Sequence, residues 1–335
     1  MNRPASLAAL AILALGACDR PSAAPPTPVA PPLVSSAPTT APPPASSAAE
    51  PHAPPGATAC GSLHCLQFES PEDAFRHVLA TNPVVLAVGE SHAQKGKASA
   101  PSSAKRFTDT FLPFLRGKAS DLVVELMAPN PSCKKTTKEV KKKHEVVTDQ
   151  QAPTAQNEYV QMGERARSLG LVPDLLRPSC QDLSAINEAG DDAVATTLST
   201  IARLTTSQVE KILGPTGRKP EDAGKMVVTY GGVLHNDPAP AGARASWSYG
   251  PALAKVAKDR YVALDLFVPE FIENTEVWRA LPWFAHYDAD RLGDKTTLFR
   301  LEDGSFVLSG ETLLPQTPEG NEKIYRLDLP IFALG

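Results

Sequence analysis

Val84-Val85-Leu86-Ala87-Val88-Gly89-Glu90-Ser91-His92 is the stretch on which the reading of this chain turns. Five consecutive apolar residues leave no face for water, as in a strand of a parallel sheet covered by helices on both sides. The glycine permits a sharp turn and close backbone approach to a ligand, and Glu90 and His92 come directly after it. A second stretch repeats the arrangement, with Met226-Val227-Val228-Thr229-Tyr230 leading to Gly232-Val233-Leu234-His235. Parallel strands end on one common edge, where open α/β sheets bind ligands, so Glu90, His92 and His235 are expected to converge there. A third apolar strand, Leu122-Val123-Val124-Glu125-Leu126-Met127, carries one charge. A carboxylate buried at Glu125 needs a histidine, an arginine or a metal beside it.

Outward from these strands the pattern alternates. Ser70-Pro71-Glu72-Asp73 supplies an N-cap, a first-turn proline and an acid at the third helical position, so a helix is expected to about Ala80. Helices are expected over about 104–116, 156–169, 191–204, 207–213 and 249–257, and further strands over 171–176 and 261–267. The spacing predicts an α/β fold, a mostly parallel sheet with helices on both faces. Residues 297–301 and 305–308 flank Glu302-Asp303-Gly304 and read as an antiparallel hairpin at the sheet's edge, with another strand over 324–329.

The front of the chain reads as an export signal. Arg3 precedes an apolar run over 7–17, too short at about eleven residues to cross a bilayer as a helix. Leu15-Gly16-Ala17-Cys18 places a lipid on Cys18, so residues 1–18 form a lipoprotein signal and the chain is expected to be anchored to a bacterial membrane, in the cell envelope, facing periplasm or exterior. Residues 19–59 read as a disordered tether: 13 of the 33 prolines fall within 21–59, where only Glu50 is charged. Residues 60–335 are then a single domain.

Composition is that of an ordinary globular protein, 42% hydrophobic and 21% charged. A net charge of -4 gives no reason to expect a nucleic-acid partner. The one basic cluster, 134–144, reads as a solvated loop, with contact to anionic lipid headgroups near the anchor as the sharper alternative. With Cys18 lipidated, Cys60, Cys65, Cys133 and Cys180 remain, an even number in an oxidising compartment. Pairing Cys60 with Cys65 and Cys133 with Cys180 is the default among three possible connectivities. Their spacing does not fit a zinc finger.

The segment 84–92, the strand acid Glu125, and Val-Val-Thr-Tyr-Gly-Gly-Val-Leu-His-Asn at 227–236 resemble the superfamily uniting erythromycin esterases, ChaN-like haem-binding lipoproteins and the Tiki and TraB proteins. The resemblance covers roughly 70–270 and implies Glu90, His92, Glu125 and His235 as pocket residues. It also implies three different uses of such a pocket: water activation by histidine and glutamate, metal-dependent proteolysis, and haem binding.

Two classes of function follow. In a hydrolase, His92 or His235 takes a proton from water while Glu90 or Glu125 orients the base or shares its charge. A divalent metal held by His92, His235 and Glu90 would serve the same end with an open position for the water. No G-x-S-x-G elbow occurs, so a serine nucleophile of that kind is not expected, and Ser91 reads as a turn residue. In a binding lipoprotein, haem or another small ligand would be captured without turnover, with the histidines, Tyr230 or Tyr249 as axial ligands and Trp247, Trp278, Trp283 and Phe284 as apolar contacts. The partners expected are the membrane, through Cys18, and a small-molecule or peptide ligand.

Overall fold

The computed structural model describes residues 55–60, 65–93, 95, 101–148, 151–152, 154–268, 279, 284, 296–300 and 306–309, all within one compact unit, Pro51–Gly335. The apolar run 7–17, Cys18, the tether up to residue 54, Trp278, Trp283 and the strand expected over 324–329 lie outside these residues.

In chain order the strands are β1 (Ala57–Ala59), β2 (Cys65–Phe68), β3 (Val85–Glu90), β4 (Ala119–Met127), β5 (Val172–Leu176), β6 (Met226–Gly232), β7 (Tyr261–Phe267), β8 (Thr296–Arg300) and β9 (Phe306–Ser309). The helices are α1 (Pro71–Leu79), α2 (Ser103–Arg106), α3 (Lys134–Thr148), α4 (Ala155–Ser168), α5 (Cys180–Glu188), α6 (Ala193–Leu213) and α7 (Gly250–Ala257). The sheet order is β1-β2-β8-β9-β7-β3-β6-β4-β5. The run from β9 through β5 is parallel, and β1, β2, β8 and β9 pair antiparallel. The C-terminal hairpin therefore forms as expected, but β2 and β1 continue the sheet beyond it, and β1 uses the last residues of the stretch read as tether.

Alternation along the strands divides the core. Leu86 and Val88 of β3 join Phe75 of α1, Phe107 and Leu112, and Tyr159 and Met162 of α4 on one face. Val85 and Ala87 join Leu198, Ile201 and Val209 of α6 and Leu253 of α7 on the other. Each such fully buried apolar side chain contributes roughly 1.5–3 kcal/mol. Chain order moves from β3 to β4 and β5 on one side, then returns to place β6 between β3 and β4 and β7 beyond β3. The crevice between β3 and β6 is thus the point where the winding reverses, and ligands bind at the carboxyl ends of strands at such points.

Local signals explain the boundaries. Ser70 caps α1, its Oγ accepting from the Asp73 amide at 3.2 Å, with Pro71 next in line. Residues 104–116 are not one regular helix. After α2 the chain forms a π-helical turn at Phe107–Phe111 and a 3-10 turn at Leu112–Leu115, because Pro113 has no N–H to donate and its ring crowds the preceding turn. The two helices expected over 191–213 are one, α6, since nothing at Thr205 or Thr206 breaks it and Thr206 Oγ1 donates back to the Ala202 carbonyl at 2.9 Å. The basic cluster is helix α3 rather than a loop, held against α5 by Val140, Leu183 and Ile186. Cys133–Cys180 ties the start of α3 to the start of α5, and Cys60–Cys65 links the residue after β1 to β2, with Cα separations of 5.7 and 5.2 Å. Among the described residues no helix is long and apolar enough to cross a membrane.

Candidate functional site

The motif residues lie slightly differently from the sequence reading. Gly89 and Glu90 belong to β3 itself, and Gly231 and Gly232 end β6, because parallel pairing of Gly89 with Gly231 and Glu90 with Gly232 carries the ladder through both glycines. Those glycines are needed for space. A Cβ on Gly89 would stand 2.5 Å from Asp265 Oδ1 and 2.7 Å from Asn236 Nδ2, and one on Gly231 would stand 2.2 Å from Glu125 Oε2. Neighbouring strands thus pass polar side chains across the glycines.

By strand alternation Glu90 shares the face of Leu86 and Val88. There it meets three donors: Tyr159 and Tyr230 give their hydroxyls to Oε1 at 2.7 Å and Oε2 at 2.6 Å, and His92 Nδ1 lies 2.7 Å from Oε1. Burial, and then the Glu90 charge, push both phenols well above their usual range, so each stays protonated and donates. With a carboxylate at Nδ1, the His92 proton sits on Nδ1 and its Nε2 is left as the basic nitrogen.

Glu125 lies on the opposite face, with Val123. Its Oε2 accepts from the Gly232 amide at 2.6 Å, while its Oε1 accepts no hydrogen bond among the described residues and lies 3.3 Å from His235 Nε2. His235 Nδ1 donates to the Trp247 carbonyl at 2.5 Å, so Nε2 faces the carboxylate favourably only when it too carries a proton. Burial alone raises Glu125, but the charge of His235 and the Gly232 amide outweigh it and hold Glu125 below the carboxylate range. Burial alone lowers His235, and Glu125 reverses that and holds it above the imidazole range. The two form a buried Glu⁻–His⁺ pair.

The two halves join over one glycine. A Cβ on Gly232 would lie 3.1 Å from His92 Nε2, 3.8 Å from Glu125 Oε2 and 3.9 Å from His235 Cδ2. All four residues singled out from the sequence are therefore in one place, at the carboxyl ends of β3, β4 and β6. They are also buried, none more than 5% exposed. A cavity of about 250 Å³, lined by Asp121, Asp174, Lys211 and Arg218, is at the other end of the strands and involves none of them.

The expected metal set of His92, His235 and Glu90 is not assembled. Among the described residues no three or more His, Cys, Asp or Glu side chains are grouped to hold an ion, and both Glu90 oxygens are committed to tyrosine and histidine donors. The phenols named as haem ligands are engaged as well, Tyr230 with Glu90 and Tyr249 with Thr229. Tyr159 was not singled out from the sequence, and neither was Asn236, which bonds Asp265 Oδ1 at 2.7 Å and the Ala87 carbonyl at 3.2 Å.

The directions of the two shifts set a pH window. Stability from His235, whose ordinary value is 6.5, is complete below that pH and is lost as pH rises through its higher folded value. Stability from Glu125, ordinarily 4.5, is complete above that pH and is lost as pH falls through its lower folded value. The stability difference between the parent chain and Glu125→Gln, from urea midpoints across pH, is expected to be largest between about pH 4.5 and 6.5 and to shrink on both sides.

Compared with protein-family models, with curated proteins and with solved structures, the chain matches none of them.

Proposed function

We propose that this is a hydrolytic acid–base site in which His92 Nε2 takes a proton from an attacking water and the His235 imidazolium returns one to the leaving group. The observation that carries the reading is the meeting of His92 Nε2, Glu125 and His235 over Gly232. A neutral imidazole oriented by a carboxylate is a general base, and an imidazolium stabilised by a second carboxylate is a general acid. The two histidines have different partners, Glu90 with two phenols for His92 and Glu125 for His235. Glu90, Tyr159, Tyr230 and Glu125 are positioning residues in this scheme. The resemblance of 84–92 and 227–236 to the erythromycin esterase superfamily supports the same reading, as does their place at the winding reversal.

The test is turnover of a panel of aryl esters and short peptides. His92→Ala is expected to lower kcat/KM by about 100-fold or more on any substrate that is turned over, with the urea midpoint showing the chain still folded. Gly232→Ala is expected to have a comparable effect, because its methyl occupies the space between the reacting groups. Turnover unchanged in His92→Ala would refute the assignment. Absence of turnover, together with a Soret band on adding haemin that His92→Ala His235→Ala abolishes, would favour the binding alternative.

A further inference from the structure

Helix α3 carries a feature that the buried site does not use. Over Lys134–Thr148 its inner side is fixed, by Val140 against Leu183 and Ile186, by Cys133–Cys180, and by Lys143 Nζ and Glu139 Oε2, which bond the Asn187 carbonyl and side-chain amide. The helical period then places Lys134, Lys138, Lys141 and Lys142 on the outer side with Lys135 beside them, and all five are exposed. Lys135 approaches Glu139 only at 4.0 Å, with its side chain 91% exposed. In a chain of net charge -4 this is a local concentration of positive charge on a helix whose orientation is locked by a disulfide and an apolar seam.

We propose that α3 is an electrostatic dock for an anionic phospholipid bilayer, its lysine stripe lying along the headgroups. The stripe has no apolar or aromatic residue between its lysines, so it suits attraction at the surface rather than insertion of a helix into the acyl region. Absence of interleaved aromatics also disfavours single-stranded nucleic acid, which such proteins hold by base stacking. The N-terminal sequence supplies the reason for a bilayer over other polyanions: the apolar run 7–17, Cys18 and a proline-rich tether ahead of Pro51–Gly335 are the layout of a domain held near a membrane. A tether alone fixes distance but not orientation. A rigid basic face would set which side of the domain turns toward the lipid.

The test uses the chain from Asp19 to Gly335, free of the apolar run and the lipid, in co-sedimentation with vesicles of phosphatidylglycerol mixed with phosphatidylcholine, or of phosphatidylcholine alone. Binding to the anionic vesicles is expected to exceed that to the neutral ones by tenfold or more at 0.1 M salt and to vanish near 0.5 M, where screening length falls to roughly 4 Å. Each lysine near an anionic surface strengthens partitioning about fivefold, so K138Q/K141Q/K142Q is expected to weaken it by about a hundredfold. K255Q/K258Q, which changes exposed lysines on and just after α7, is expected to leave it within twofold. Equal binding to both vesicle types, equal loss in the two variants, or tighter binding to duplex DNA than to the anionic vesicles would overturn the proposal. Should the triple variant not fold, composition and salt dependence of the parent chain still decide it.

Discussion

Glu125→Ala is expected to destabilise the chain by about 3–5 kcal/mol at pH 5.5, the usual consequence of removing one partner from a buried ion pair. His235 is 1% exposed and would keep a charge with no counterion, or be buried neutral at a pH where the unfolded chain keeps it protonated. The Gly232 amide would also lose its acceptor at the end of β6. Urea unfolding measures the loss directly. The control is Glu125→Leu with His235→Leu, which removes both charges and is expected to recover much of it, because apolar replacements of buried pairs are often neutral. A loss under about 1 kcal/mol for Glu125→Ala would mean that the pair does not form.

Glu90→Leu is expected to cost at least about 3 kcal/mol by a different route. The volume is nearly conserved, so cavity formation contributes little, but three buried donors, the Tyr159 and Tyr230 hydroxyls and His92 Nδ1, lose their acceptor together. Each such orphaned group costs about 1–3 kcal/mol. Tyr159→Phe combined with Tyr230→Phe should reduce the penalty of Glu90→Leu, since two of the orphaned donors are then gone. A double-mutant cycle from urea midpoints gives that coupling, and strict additivity would show that the tyrosines act independently of Glu90.

How far the sequence reached depended on what each residue's neighbours made unambiguous. β3, β4, β6 and β7 were legible because runs such as Val84 to Val88 have no hydrophilic face and fit only a doubly covered strand. Glu125 stood out as the one charge in the run from Leu122 to Met127, and its need for a partner was met by His235 and the Gly232 amide. Tyr230 could have been placed by parity: it pairs with Val88, so it shares the face of Glu90 two residues on. Tyr159 had no comparable signal, because which side of α4 meets the sheet is decided by packing between elements distant in sequence. Lysine density hid α3, whose apolar positions are few and whose stability comes from Leu183, Ile186 and a disulfide to another helix. The metal set failed on Glu90, whose residue type suited a ligand while its surroundings, two phenols and an imidazole, had already satisfied it.

Histidine NMR titration of the parent chain and of Glu125→Gln probes the convergence over Gly232 most directly. His235 is expected to titrate above 6.5 with its Nδ1 protonated, and Glu125→Gln is expected to bring it down. A His235 that titrates at or below 6.5 and ignores Glu125→Gln would contradict it.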